Sequence, residues 1–205
     1  GITLMSEVLY MHPDRFLGQT EEILSVARRL FSEVELLPII SPHGHIEPRW
    51  FADNEVFDNP TDMLIVPDHY IFRMLYSQGV SLESLRIPTV GNESKVDPLE
   101  AWRIFADYYS LFQGTPTRIW LDYVFYEVFG LKDVLSAQTA QQYYEQISNQ
   151  LKMDALRPRA ILDRFNIEFL ATTDGALDSL HFHENIARAG FGRRVVPTFR
   201  PDSVI

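Results

Sequence analysis

No cysteine occurs among the 205 residues of the chain. Disulfide bonds and thiolate chemistry are therefore excluded, and any metal ion has to be bound by histidine, aspartate or glutamate. Positive charge is also scarce, because 18 lysines and arginines face 28 aspartates and glutamates, for a net charge of −10. This balance argues against a nucleic-acid-binding protein, which needs a basic face, although a few local arginines can still bind an anionic substrate.

Long apolar runs are absent as well. No uninterrupted apolar segment approaches the ~18 residues of a membrane helix, and the first residues lack the basic and apolar regions of a signal peptide. We therefore expect a cytoplasmic protein without a membrane partner. Hydrophobic residues make up 46% of the chain and charged residues 22%, a balance typical of a globular domain, so 1–205 is taken as part of one domain.

The first apolar segments predict a helix followed by a strand. Thr20 is placed to cap the helix, because the apolar residues after it recur on one helical face. These residues are Ile23, Leu24, Ala27, Leu30 and Phe31. Residues 36–40 then form a short apolar run without helical period, which we interpret as a fully buried strand.

Residues 50–160 are rich in aromatic side chains, and prolines divide them into short predicted helices. The clearest helix begins near Ser136 and carries one apolar face. That face consists of Ala140, Tyr143, Tyr144, Ile147 and Leu151. We interpret 50–160 as a helical insertion between two strands.

Two more strands are predicted at 167–172 and 194–199, with a helix between them that Asp178 caps and Gly190 stops. The order strand, helices, strand, helix, strand predicts an α/β fold with a parallel sheet. Polar residues follow each strand, at the edge that holds the active site in α/β barrels and open parallel sheets. Because a barrel needs eight strands, three strands predict an incomplete one.

His43-Gly44-His45 follows the first predicted strand directly. In an extended segment, residues two apart point to the same side, so the two imidazoles are able to bind one cation. The alternative is a pair of ordinary polar loop histidines. The position after a buried strand, in a chain without cysteine, favours the metal site.

A second polar cluster consists of Asp68, His69, Tyr70 and Arg73. If Tyr70 begins a helix, Tyr70 and Arg73 share a face and are able to hold a carboxylate or a developing oxyanion together. The alternative is a helix N-terminus that Asp68 caps, with a solvated His69. The residue types and their spacing leave both interpretations open.

The ends of the later strands carry further candidates. Arg200 is the better one, because arginine binds carboxylates through two parallel hydrogen bonds, and its alternative role is a surface ion pair with Asp202. We interpret Asp174 as a turn residue and Asp178 as a helix cap. A helix turns two-apart residues in different directions, so His181 and His183 are not predicted to form a joint metal site.

Taken in chain order, these motifs resemble the uronate isomerase family. The matching segments are HGH at 43–45, FDNPTD at 57–62, DHYIFR at 68–73, TTDGALDSL at 172–180 and VPTFRPD at 196–202. The family belongs to the amidohydrolase superfamily of metal-dependent (β/α)8 barrels. The resemblance implies the first three strands of such a barrel, with the large helical insertion after the first strand.

The resemblance also implies an activity in carbohydrate metabolism. The family interconverts D-glucuronate and D-galacturonate with D-fructuronate and D-tagaturonate, with a divalent metal, zinc first among the candidates. The implied residues are the metal ligands His43 and His45, the catalytic Tyr70, and the substrate-binding Arg200, Arg73 and His69. The small-molecule substrate is the expected partner, and a homo-oligomer is compatible with the pattern.

Two departures from the family pattern matter. Its members are much longer, and the metal-binding aspartate and neighbouring arginine of a late strand have no counterpart here. Two and four residues after Trp120 the family carries histidine and glutamate, where this chain has Asp122 and Val124. Because three strands leave most of a barrel open and the metal-binding carboxylate is missing, we expect the 205 residues alone not to catalyse isomerisation. The alternatives are a metal-dependent hydrolase of the same superfamily and a non-catalytic sugar-acid-binding fragment.

Overall fold

The computed structural model describes residues 7–18, 20–89, 91 and 94–203. These residues form two compact units. The helical unit contains the described residues up to 12 and 57–152, and the sheet unit contains those of 13–56 and 153–203.

The α-helices are α1 (Glu21–Val34), α2 (Pro48–Asp53), α3 (His69–Ser77), α4 (Pro98–Asp107), α5 (Pro116–Tyr123), α6 (Ala140–Leu151), α7 (Pro158–Arg164) and α8 (His181–Arg188). The strands are β1 (Ile39–Ser41), β2 (Ile167–Gly175) and β3 (Val195–Arg200). Single π turns lie at Thr61–Ile65 and Val124–Val128, and 3₁₀ turns at Glu83–Leu85, Tyr109–Phe112, Asp154–Leu156 and Pro201–Ser203. Among the described helices, none has the length and apolar character needed to cross a bilayer.

An aromatic cluster forms the core of the helical unit. Trp102, Phe105, Tyr109, Phe125 and Tyr143 are almost completely buried. Their rings contact one another at tilted or edge-on angles, with centroids 5.0–6.2 Å apart in the closest pairs. Such geometries match the electrostatics of aromatic rings and add to the free energy of burial. We call these five residues the aromatic cluster.

The predicted apolar face of α6 is confirmed. Ala140, Tyr143, Ile147 and Leu151 are all buried, and Tyr144, the fifth predicted member of the face, is half-buried. The helix begins four residues after Ser136, because Thr139 precedes it and accepts a hydrogen bond from the Ser136 backbone amide in a turn.

The sheet unit contains the predicted parallel sheet, with strand order β1-β2-β3. Ile39 pairs with Ile167 across the first pair of strands, and Leu170 pairs with Val195 across the second. Its core consists of Phe51, Leu162, Leu170, Ile186 and Val195. Helices α2, α7 and α8 supply the first, second and fourth of these side chains and cover the sheet. The α/β class and the order of elements are therefore confirmed.

The prediction of a fully buried first strand is wrong. The described strand is β1, in which Ile39 is 48% and Ile40 59% exposed. In the described ranges β1 pairs only with β2, so its other edge stays open. Thr20 does cap α1, and its hydroxyl oxygen accepts a hydrogen bond from Ile23 N. The apolar face of α1 is nevertheless exposed, with Leu30 at 62%.

The prediction that Asp178 caps the last helix is also wrong. Helix α8 begins at His181, after Leu180. The Asp178 carboxylate instead accepts a hydrogen bond from Gly175 N at 2.6 Å and closes the turn after β2. Gly190 follows the helix with φ of +87°, the left-handed conformation that stops a helix. The partial (β/α)8 barrel, the single domain over 1–205 and the insertion over 50–160 stay predictions.

Candidate functional site

The candidate site lies at the carboxyl edge of the sheet. Strands β1, β2 and β3 run parallel and end at Ser41, Gly175 and Arg200. The residues that follow them therefore emerge at one edge, where parallel sheets bind ligands. The His43-Gly44-His45 loop is anchored to the next strand, because the Thr173 hydroxyl donates a hydrogen bond to Gly44 O.

The rings of His43 and His45 converge. Their Nε2 atoms are 3.1 Å apart, and the ring planes are inclined by 86°. Both side chains are exposed rather than enclosed in the apolar core. The predicted convergence after the first strand is therefore confirmed, whereas binding of a metal stays a prediction.

The geometry of the two imidazoles fits a metal ion. Zinc binds histidine nitrogen at about 2.0–2.1 Å. The two Nε2 atoms, 3.1 Å apart, are therefore close enough to bind the same ion. Across the described ranges, no group of three or more histidine, aspartate or glutamate side chains could hold a metal ion.

Arg200 lies at the end of β3 and lines a cavity of about 260 Å³. The other residues around the cavity are Thr173, Asp174, Gly175 and Asp202. The Arg200 Nε atom is 2.8 Å from Asp202 Oδ2, and both side chains are exposed. The structure thus contains the surface ion pair that the sequence left open, and the same guanidinium faces a small polar cavity.

The second predicted cluster lies in the helical unit, at the start of α3. Asp68 caps this helix, because its Oδ1 accepts hydrogen bonds from Tyr70 N at 2.8 Å and Ile71 N at 3.3 Å. The Tyr70 ring is 70% exposed and its centroid lies 4.3 Å from that of His69. Arg73 is exposed one turn later. The capping role is therefore observed, and the approach of Tyr70 to the histidine pair stays a prediction.

Tyr70 also lines a cavity of about 520 Å³ inside the helical unit. The remaining residues around it are Met74, Phe112, Thr115, Pro116, Thr117 and Trp120. Apart from two threonines, these side chains are apolar or aromatic. The Tyr70 ring is thus one wall of a largely apolar depression.

The departure at Asp122 has a structural explanation. Asp122 Oδ1 accepts a hydrogen bond from the Tyr109 hydroxyl at 2.6 Å, and Asp122 Oδ2 accepts one from Arg118 Nε at 2.8 Å. The Arg118 guanidinium also lies 4.3 Å from the centroid of the Tyr109 ring. Asp122 is therefore bound within the packing of the helical unit and acts there as a structural carboxylate.

The sequence reasoning missed one group of polar residues. Thr172, Asp174 and His183 are buried together behind the carboxyl edge of the sheet. Thr172 and Asp174 are two apart on β2 and therefore point to the same side, which is a signal that the sequence contains. Their contact with His183 of α8 depends on how the helix packs against the strand.

A family model described as glucuronate isomerase matches residues 11–205. The uronate isomerase of Xanthomonas euvesicatoria pv. vesicatoria is 51% identical over 203 residues, which cover 98% of this chain and 43% of that protein. The uronate isomerase of Caulobacter vibrioides is 49% identical over 201 residues, which cover 98% of this chain and 41% of that protein.

Solved structures agree with the sequence matches. Glucuronate isomerase from Caulobacter crescentus aligns with a TM-score of 0.92 at 49% identity, over 97% of this chain and 42% of that one. Uronate isomerase from Thermotoga maritima aligns with a TM-score of 0.79 at 28% identity, over 94% and 40% of the two chains. The chain thus spans about two fifths of the length of these relatives. Because the family model matches nearly all of its residues, the chain belongs to the glucuronate isomerase family, whose curated members are named uronate isomerases.

Proposed function

We propose that the protein containing this chain is a uronate isomerase. It interconverts D-glucuronate with D-fructuronate and D-galacturonate with D-tagaturonate, as a cytoplasmic enzyme of carbohydrate metabolism. The observation that carries the proposal is the convergence of His43 and His45, 3.1 Å apart at Nε2, at the carboxyl edge of a parallel sheet. Family membership supports the reaction class.

His43 and His45 would hold the divalent metal ion. Imidazole suits zinc among the common divalent ions, and the two Nε2 atoms, 3.1 Å apart, are close enough to bind one ion. The ion, when bound, supplies Lewis-acid stabilisation of the negative charge that develops during isomerisation. The hydrogen bond from the Thr173 hydroxyl to Gly44 O anchors the loop that carries the two rings.

Arg200 would bind the carboxylate of the sugar acid. A guanidinium matches a carboxylate with two parallel hydrogen bonds. Its present pairing with Asp202 is exposed, and such pairs contribute only about 0–1 kcal/mol. Exchange of Asp202 for a substrate carboxylate therefore costs little free energy.

Tyr70 would donate its hydroxyl proton in a hydrogen bond to a reacting oxygen of the sugar, with His69 and Arg73 as further polar contacts. Isomerisation also moves a proton between C1 and C2, which requires a general base. We place that base outside these 205 residues, on a later strand of a (β/α)8 barrel whose first strands are β1, β2 and β3. The polar residues at the carboxyl edge support this placement, because active sites of such barrels lie there.

The test uses the natural protein that contains these residues. Its zinc and manganese content is measured by mass spectrometry, and its turnover of D-glucuronate and D-galacturonate by formation of the keto acids. His43→Gln and His45→Gln are each expected to lose the metal. Their turnover should fall by more than about 100-fold, since even the outer partners of metal ligands typically contribute about 10–100-fold.

His181→Gln is the matched control, because His181 is exposed on α8 and its ring contacts Ser179 rather than the histidine pair. It should keep both metal and turnover. Full turnover in either variant of the pair would contradict the proposal. The 205 residues alone are expected to be inactive with added Zn²⁺ or Mn²⁺, because two imidazoles hold a cation weakly.

A further inference from the structure

Three polar side chains are buried between β2 and α8. Thr172 is fully buried, and Asp174 and His183 are 6% and 9% exposed. Burying polar groups is costly unless they form hydrogen bonds. The positions of the hydrogens among these three side chains therefore follow from the donors and acceptors that are present.

The Thr172 hydroxyl lies at the centre of the group. Its oxygen is 2.7 Å from Asp174 Oδ2, 2.8 Å from His183 Nε2 and 3.2 Å from Val196 O. The hydroxyl has one proton, and both the carboxylate and the carbonyl only accept. The shortest contact is the one to the carboxylate, where a charge-assisted hydrogen bond is strongest. The proton of Thr172 therefore goes to Asp174, and His183 has to donate from Nε2.

A separate observation supports the tautomer of His183 that is protonated at Nε2. His183 Nδ1 is buried and has no hydrogen-bond partner among the described residues. An unpaired acceptor is tolerated more often in protein interiors than an unpaired N–H donor. The proton of the neutral ring therefore belongs on Nε2, where it is used. A directed chain results, from His183 through Thr172 to Asp174.

The series of hydrogen bonds from His183 through Thr172 to Asp174 ends at a cavity. Asp174 lines the same cavity of about 260 Å³ as Arg200. Within the described residues, the one hydrogen bond to the Asp174 carboxylate comes from Thr172 and goes to Oδ2. Oδ1 is therefore available to a ligand. A small cavity with one arginine and a fixed carboxylate suits a ligand that has both a carboxylate and hydroxyl groups.

We propose that Asp174 binds a hydroxyl group of the sugar acid whose carboxylate Arg200 holds, and that Thr172 and His183 are positioning residues for Asp174. This inference rests on the proposed function. A site built to pair with a hydroxyl rejects analogues that lack it, so Asp174 selects polyhydroxy acids over deoxy acids. The hydrogen bonds keep the Asp174 carboxylate in one orientation, because the Thr172 hydroxyl donates to its Oδ2 atom.

The first test measures kinetics and metal content in the natural protein. Asp174→Asn should raise KM for D-glucuronate about 10- to 100-fold, the typical effect of one hydrogen bond to a charged group, while the metal content stays at the wild-type level. His183→Phe should raise KM in the same direction. His183→Gln should restore part of the loss, because its amide is able to donate to Thr172.

Asp163→Asn is the matched control, because Asp163 is an exposed carboxylate that pairs with Arg194 at the opposite end of the sheet. It should leave KM unchanged. Unchanged KM in Asp174→Asn, with normal turnover of the wild type, would overturn this inference and leave the proposed function standing. Absence of turnover in the wild type would overturn both.

The second test does not depend on variants that fold. Long-range ¹H–¹⁵N correlation spectra of the wild-type protein identify the tautomer of His183 directly. We expect a proton on Nε2 and none on Nδ1. A proton on Nδ1 would reverse the hydrogen bond to Thr172 and overturn the positioning role.

Discussion

Asp122 in the helical unit and Asp174 in the sheet unit each accept a hydrogen bond from a hydroxyl group, at 2.6 and 2.7 Å. Their surroundings differ. Asp122 also pairs with Arg118, and that guanidinium lies over the Tyr109 ring. Asp122, Arg118 and Tyr109 therefore contact one another. Among the described residues, no arginine pairs with Asp174, which borders a cavity that Arg200 also lines. A carboxylate that pairs only with neighbouring protein groups stabilises the fold. A carboxylate that also borders a cavity is able to bind a ligand.

The aromatic cluster around Asp122 should give the largest effect on stability. Trp102 is fully buried, and its Nε1 donates a hydrogen bond to Ala140 O at 3.0 Å. Trp102→Ala is expected to lower the free energy of unfolding by about 3–5 kcal/mol, because it leaves a large cavity. Urea unfolding monitored by circular dichroism measures this. Leu30→Ala, on the exposed face of α1, should change stability by less than about 0.5 kcal/mol. Equal losses would show that the two surfaces are equally packed.

Removal of Asp122 tests whether its group is structural. Asp122→Ala leaves Arg118 and Tyr109 without their acceptor, and should lower the free energy of unfolding by about 2 kcal/mol, the usual range for hydrogen bonds to a charged group. The exposed pair of Asp154 and Arg157 provides the control, since Asp154→Ala should cost less than about 0.5 kcal/mol. In the natural protein, KM for D-glucuronate should stay unchanged in Asp122→Ala. A higher KM would mean that Asp122 also serves the site.

Alkaline pH should destabilise the aromatic cluster. Burial, and then the nearby Asp122, raise the pKa of both Tyr109 and Tyr143 far above the ordinary value. Below about pH 10 tyrosine is protonated in the folded and the unfolded chain alike, so stability is fully present. Above about pH 10 only the unfolded chain releases these protons, so stability falls by about 1.4 kcal/mol per pH unit for each tyrosine.

Urea unfolding at several values between about pH 9 and about pH 11.5 measures this slope. Tyr109→Phe and Tyr143→Phe should each flatten it. Tyrosinate absorbance from these two residues in the folded chain near pH 10 would disprove the expectation.

The smallest effect on stability should come from the exposed ion pair at the cavity that Asp174 lines. Asp202→Asn removes the exposed ion pair with Arg200, and should change the free energy of unfolding by less than about 1 kcal/mol. Any difference should shrink when salt is added, because exposed charges are screened. Unfolding curves at low and high ionic strength check this. A loss as large as that of Asp122→Ala would show that Arg200 is held as firmly as Arg118.

Features that depend on neighbouring residues were predictable from the sequence. The cap at Thr20, the apolar face of α6 and the stop at Gly190 follow from local hydrogen bonding and helical period. The convergence of His43 and His45 belongs with them, because a spacing of two residues in an extended segment is enough to bring the rings together.

Features that join distant parts of the chain were not predictable. The exposure of β1 depends on which strands lie beside it. An apolar sequence predicts a buried strand whether one or both of its edges are paired. Asp178 has the residue type of a helix cap but binds the Gly175 amide in the turn after β2, because α8 begins three residues later.

The sequence by itself determined the family, the order of helices and parallel strands, and the pair of histidines at the end of the first strand. Each of these features depends on residue types that lie close together in the sequence. Only the tertiary structure decided the roles of Asp122, Asp174 and His183. Asp122 bonds to Tyr109 on another element, and His183 of α8 bonds to the Thr172 that in turn bonds to Asp174. The packing of these elements against one another, which no local pattern encodes, brings the partners together.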